Sequence, residues 1–424
     1  MTLVAIVFAI LLVLGLPIGF VMLGASMVYF AFNPMITSLV AQRMSSALES
    51  FPLLAIPLFV VAGAAMARGG IAERLYAFCE TLVGHWRGGL AQIAVLNSVF
   101  MGAMSGSANA DAAIDARTIV PVMRARGYSN AYGSVVSAAS SLIAPIMPPS
   151  IALIVYGLLT NTSIGRLFVG GVIPAFVIAV ALMLTVRWTA IRANLAPARE
   201  VRAGRPEIIR HARAALWALA MPVMLLFGLR SGWFTPTELG AVAAVYAFVV
   251  GVFVYRGLKV RDVVSLFSES ALTTAGVMFI VASASVFSLI LSLEQVPQHL
   301  ITALMAISDN KYVVLLVINV ALLLLGTVFE GLAIIVILGP LLVQVAQNLG
   351  IDPVHLGVML VFNTAIGSLT PPVGTVMFTV CSITRCSVEE FTRAFGPFLA
   401  AMVAVLMLLT YVPAIVTFLP NLVF

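Results

Sequence analysis

The chain has 424 residues, of which 62% are hydrophobic and only 9% charged, with a mean hydropathy of +1.15. That composition excludes a soluble globular domain, which needs far more polar surface to face water. The net charge of +6 comes from 22 Lys and Arg against 16 Asp and Glu, with the cations gathered in a few loops; it reports membrane topology and implies no nucleic-acid partner.

Apolar runs of helix length recur at roughly 3–31, 51–67, 129–161, 166–190, 214–230, 237–255, 270–292, 351–384 and 395–418. They predict an all-α polytopic membrane protein in the lipid bilayer, since a β-barrel would show short alternating segments instead. The first run has no cationic leader region and no cleavage site before a polar chain, which predicts one retained membrane helix over 3–30. Two further stretches, 88–124 and 311–348, are each about twice a helix in length and are split by Ser105-Gly-Ser-Ala-Asn109 and Gly326-Thr-Val-Phe-Glu-Gly331. They predict re-entrant hairpins whose tips line a site, because irregular backbone at membrane depth survives only against protein or a water-filled cavity. An amphipathic connector precedes each hairpin, at 71–87 and 293–309. With 191–213 placed in the cytoplasm, alternation puts 17 of the 22 Lys and Arg on that side.

Inside the runs at 129–161 and 351–384 the same interruption occurs, Ala144-Pro-Ile-Met-Pro-Pro-Ser150 and Gly367-Ser-Leu-Thr-Pro-Pro-Val373. The proline pairs are 223 positions apart, and the same offset carries Gly127 onto Gly350. Hairpin, glycine and break therefore repeat together, entering from opposite sides, as in secondary transporters built from inverted repeats with a binding site near the midplane. The simpler alternative is that Pro-Pro merely kinks two long helices.

Proline lacks an N–H and disfavours helix in the residue before it, so each break frees carbonyls about one turn earlier. Carbonyls and half-helix C-termini suit Na⁺, and half-helix N-termini suit a carboxylate substrate. The candidate cation ligands are Ser105, Ser107 and Asn109 with Ala144 and Pro145 in the first half, and Gly326 and Thr327 with Asn363, Gly367 and Thr370 in the second. Substrate is expected near Ser150 and Thr375, beside Pro149 and Pro372. All of these residue types also occur as ordinary helix-packing residues in membranes. Asp111, Asp115 and Glu330 fall at or near membrane depth, where a carboxylate is a functional suspect; in the first turns of the outgoing arms they serve equally as caps, and Asp115 is also placed to pair with Arg117 or Arg124. The four histidines are scattered, the three cysteines lack metal-ligand spacing, and neither a Walker A sequence nor H-E-x-x-H occurs.

Gly69-Gly-Ile-Ala-Glu-Arg74, Leu82-Val-Gly-His-Trp-Arg-Gly-Gly89, Ser105-Gly-Ser-Ala-Asn-Ala-Asp111, Ala138-Ala-Ser-Ser-Leu-Ile-Ala-Pro-Ile-Met-Pro-Pro-Ser150 and Ser163-Ile-Gly-Arg-Leu-Phe168 together resemble the large membrane (M) subunit of tripartite ATP-independent periplasmic (TRAP) transporters. The resemblance runs over essentially the whole chain. It implies a multi-pass protein of the bacterial inner membrane that is not an enzyme. It implies Na⁺-driven import of organic acids such as C4-dicarboxylates, sialic acid or other sugar acids. A periplasmic substrate-binding protein would deliver the substrate, and a small four-helix membrane subunit would be the partner. It further implies an elevator motion, with transport segments at 88–165 and 311–384 and scaffold segments at 1–87, 166–310 and 395–424. The first tip lacks the Thr of related Ser-Asn-Thr tips, and Val328 and Phe329 occupy the second tip, so the second cation site would lean on backbone carbonyls. Two other readings are a stand-alone anion symporter without a binding protein and a membrane hydrolase using Asp111 and Glu330 as an acid pair.

Overall fold

The computed structural model describes residues 2–33, 38–308 and 310–424, and every regular element among them is helical. Seven of these helices are long and apolar enough to cross a bilayer: Phe51–Arg68, Ile164–Arg192, Arg205–Ser231, Pro236–Val254, Arg261–Leu293, Gly331–Asn348 and Val388–Tyr411. The single N-terminal helix expected over 3–30 is instead two, Thr2–Val13 and Ile18–Phe32. Gly15 takes the left-handed conformation at φ +76° and Pro17 cannot continue a helix, so the chain turns there and brings Leu11 against Gly24. The loop expected over 191–213 is also shorter, because Arg205–Ser231 is helical from Arg205 onward.

Both connectors are helical, at Ile71–Val83 and Val296–Ile307. The hairpin expected at 88–124 consists of Gly89–Ser105 and Ala108–Ala125, meeting at Gly106 with φ +59°. The one expected at 311–348 consists of Lys311–Gly326 and Gly331–Asn348. Each interrupted helix is present too. Asn130–Ser140 runs through one tight turn into irregular chain at 144–150 before Ile151–Thr160, and Pro353–Gly367 is separated from Thr375–Thr384 by 368–374.

The duplication extends to backbone detail. Gly127 and Gly350 both adopt positive φ, +83° and +65°, ahead of the broken helices, and both Pro148–Pro149 and Pro371–Pro372 are cis. Asn161 and Arg385, with φ of 52° and 56°, end the second half of each broken helix.

The two repeats interlock through small residues. A Cβ on Gly357 would collide with the Tyr156 ring, and the Tyr156 hydroxyl donates to the Pro353 carbonyl at 2.8 Å. Helix Ile151–Thr160 of the first repeat is thereby seated on the second. Deeper in the second repeat, Asn363 Nδ2 donates to Asn319 Oδ1 at 2.8 Å, and Asn319 Nδ2 to Thr410 Oγ1 at 2.9 Å, tying hairpin, broken helix and Val388–Tyr411 together. The amide N–H groups joined in this way are satisfied locally, as apolar surroundings require, whereas Asn363 Oδ1 has no partner among the described residues.

Candidate functional site

Four helices begin at one place. The first two residues of Ala108–Ala125, Ile151–Thr160, Gly331–Asn348 and Thr375–Thr384, namely Ala108 and Asn109, Ile151 and Ala152, Gly331 and Leu332, Thr375 and Val376, all line one cavity of about 450 Å³. Each helix start carries free N–H groups and a partial positive charge of roughly half a unit, so four together supply on the order of two positive charges. Among the described residues Glu330 is the only charged side chain in the lining, where it is exposed, and no Lys or Arg lines the cavity. Unless Glu330 meets a cation, it offsets about half of the dipole field.

Three of the hydroxyls in the wall have their protons committed. Thr364 Oγ1 donates to the Val361 carbonyl at 3.1 Å, Ser368 Oγ to Ala365 at 2.6 Å and Thr273 Oγ1 to Glu269 at 3.0 Å. Their lone pairs remain for a cation or a donor hydroxyl on a ligand. The N–H ends thus suit an anion and the oxygens suit a cation, side by side.

Of the residues singled out in the sequence, Ser107, Asn109, Pro145, Glu330 and Thr375 line this cavity. Ser107 caps Ala108–Ala125, its Oγ accepting from the Ala110 N–H at 3.5 Å, while Ser105 Oγ accepts from the Ser107 N–H at 3.5 Å. Asn109 Oδ1 is buried with no hydrogen-bond partner among the described residues. Ser150 stands apart from the wall: it is fully buried, its Oγ accepts from the Leu153 N–H at 3.2 Å as a helix cap, and its hydroxyl donates to the Pro145 carbonyl. Pro149, Pro372 and Ala144 do not line the cavity either; Ala144 packs under the first arm, where a Cβ on Gly102 would come within 2.8 Å of its Cα.

In the second half the tip and the break meet backbone to backbone. A Cβ on Gly367 would stand 2.5 Å from the Gly326 Cα. Thr327 and Thr370 donate their hydroxyls to their own helices, at Leu324 and Ile366, and the Thr327 carbonyl accepts from the Val373 N–H at 3.0 Å. Asn363 is buried in the amide chain described above, its Oδ1 without a partner among the described residues. Asp111 and Glu330 do not act as side-chain caps: Ser107 occupies the cap of the first outgoing arm, and Glu330, at the cap position of the second, makes no capping hydrogen bond. Arg117 and Arg124 are exposed, and Asp115 pairs with neither; it is held by Asn97 and Ser98.

Sequence reasoning missed Thr364, Ser368, Thr273 and Gly276 in the wall. The repeat offset would have found Ser368, which corresponds to Pro145, just as Thr375 corresponds to Ala152. Nothing in the pattern marks Thr273 and Gly276, which belong to the long helix Val260–Leu293 on the far side of the cavity.

The fold and this chain's relatives agree. The chain resembles the solved Alcanivorax borkumensis YdaH transporter in fold, with a TM-score of 0.67 over 96% of this chain and 98% of that one at 16% identity. It is 38% identical to the C4-dicarboxylate TRAP transporter large permease protein DctM of Pseudomonas aeruginosa, over 94% of this chain and 93% of the relative. It is also 38% identical to the sialic acid TRAP transporter large permease protein SiaM of Vibrio cholerae, over 97% and 96%. The model of the tripartite ATP-independent periplasmic transporter DctM component matches residues 5–415, and the chain belongs to that family.

Proposed function

We propose that this subunit carries an organic acid anion across the inner membrane with Na⁺ as the coupling ion. The carboxylate would sit on the converged helix N-termini and Na⁺ on the neighbouring oxygens. The observation that carries the reading is the convergence itself: four helix starts in one cavity that no Lys or Arg lines among the described residues. Attraction for an anion then comes from oriented backbone and from the bound ion. Asn109 with carbonyls of the first break would hold one cation. Gly326, Gly367, Thr370 and neighbouring carbonyls would hold the second.

The hairpins and broken helices would move as one body against Val260–Leu293 in an elevator cycle. The names of relatives, C4-dicarboxylate for one and sialic acid for another, support a substrate among dicarboxylates and sugar acids. A small four-helix membrane subunit and a periplasmic binding protein would complete the transporter. The test is uptake of a radiolabelled acid by proteoliposomes holding the full complex. Replacing Na⁺ with K⁺ is expected to abolish accumulation, and unchanged uptake in K⁺ would overturn the coupling. Uptake by this chain alone would favour a stand-alone symporter.

A further inference from the structure

The first hairpin contains a second polar centre, away from the cavity, that the transport reading does not use. Asp111 and Asp115 are four residues apart on the inward face of Ala108–Ala125, and both are fully buried. Asp115 lies eight residues into the helix from its cap Ser107, about 12 Å along the axis. The facing arm supplies Asn97 and Ser98: Asn97 Nδ2 donates to Asp115 Oδ1 at 3.2 Å and Ser98 Oγ to Asp115 Oδ2 at 3.2 Å. Both are themselves buried, at 3% and 0% exposure.

Three oxygens of this centre have no partner. Neither carboxylate oxygen of Asp111 accepts a hydrogen bond among the described residues, and neither does Asn97 Oδ1, although the other end of that amide is fixed on Asp115. No Lys, Arg or His forms a salt bridge with either carboxylate among the described residues. Two buried carboxylates and an amide oxygen without a counter-charge are costly, since a buried charge is ordinarily paired or bound to a metal. The unmatched groups are all hard oxygens.

We propose that the first hairpin holds one hard cation between Asp111, Asp115 and Asn97 Oδ1, in a site separate from the cavity. The orphan oxygens of Asp111 and Asn97 supply the open ligands, and the hydrogen bonds from Asn97 and Ser98 hold the Asp115 carboxylate in place. The occupant is Na⁺ or Ca²⁺, which share this oxygen chemistry. The ion would tie the two arms together behind the tip, so that Ser107 and Asn109 are presented at a fixed separation from the first break.

The test uses the full-length chain in detergent and does not depend on transport. Equilibrium binding of ²²Na⁺ and of ⁴⁵Ca²⁺ is measured for the wild type, Asp115→Asn, Asp111→Asn and Thr118→Ala, an exposed position on the same helix, each first shown to elute as a folded species. One of the two ions is expected to lose one equivalent per chain in both Asp variants and to keep it in Thr118→Ala. Asp111→Asn leaves both hydrogen bonds to Asp115 intact, so it reports the site even where Asp115→Asn fails to fold. Unchanged stoichiometry of both ions in Asp111→Asn would overturn the proposal. So would a protonated carboxylic acid band in the infrared spectrum of the wild type that disappears in Asp111→Asn or Asp115→Asn, since the charge would then be met by a proton. If the equivalent is lost while uptake proves independent of Na⁺, the coupling reading fails and this site stands.

Discussion

The two halves repeat one chain path but build their ends of the cavity from different materials. In the first half every residue of the break at 144–150 is buried, and side chains hold it: Ser150 bridges the Pro145 carbonyl and the Leu153 N–H. In the second half Pro372 and Val373 are exposed, and the tip is held by the Gly326–Gly367 contact and the Val373 to Thr327 backbone bond. A duplicated path therefore fixes where helices start, while the side chains laid on it decide how tightly each end is closed. The backbone-to-backbone end has no room for an added atom, whereas the side-chain end rests on a cap hydroxyl that can be lost at modest cost.

That contrast is broken most severely at the second contact. Gly367→Ala would put a methyl 2.5 Å from the Gly326 Cα, and overpacking of this kind costs about 1–3 kcal/mol, so uptake by the full complex is expected to fall at least about fivefold with a lowered melting temperature. Gly350→Ala sharpens the point, since it has positive φ but open space around it. It should cost only about 1–2 kcal/mol of backbone strain and leave substrate affinity unchanged. Gly350→Ala as damaging to uptake as Gly367→Ala would show that the contact is not special.

Next in size is the cation asymmetry. Asn109→Ala removes a buried oxygen with no partner, and the Na⁺ concentration for half-maximal uptake is expected to rise about tenfold, or about 1.4 kcal/mol. Thr370→Ala, whose hydroxyl is engaged by Ile366, should move it no more than about threefold through the carbonyls it leaves in place. A Na⁺ titration unchanged by both removes them from the ligand set.

Glu330→Gln deletes the only negative side chain on the wall. The half-saturating concentration of a dicarboxylate is expected to fall about threefold to fivefold, a modest effect because the cavity is open to water. A rise instead would mean that Glu330 receives a donor group from the substrate. The smallest effect is assigned to Ser150→Ala, which removes a helix cap worth about 1 kcal/mol of stability and should leave substrate affinity as it was.

Much of this was legible in the chain because it rests on backbone chemistry that particular residues announce. The Gly127–Gly350 and Pro-Pro offsets mark positive φ and helix breaks directly, and the structure has both at the expected positions. The hairpins were legible from Ser105 to Asn109 and from Gly326 to Gly331 as polar interruptions in apolar runs. The turn at Gly15 and Pro17 was present in the letters but hidden by the apolar residues on either side, since hydropathy does not register a change of direction. Ser150 shows the limit for single side chains: its place at a helix start was readable, but whether its hydroxyl faced ligand or its own helix depended on packing around the break. Thr273 and the pairing of Asn97 with Asp115 depend on contacts between separate helices, which a linear pattern does not encode.

Tyr156 is a key in a lock cut from glycine. Its ring fills the notch at Gly357 and its hydroxyl is fastened to the Pro353 carbonyl. To slide one repeat past the other, the chain would have to withdraw a large aromatic group from a slot only its own shape fits, and give up a hydrogen bond as it did so. A scissor movement between the repeats would thus be expensive, and in the proposed elevator cycle slip would fall instead on the seam facing Val260–Leu293, where a Cβ on Gly276 would meet nothing within 4 Å.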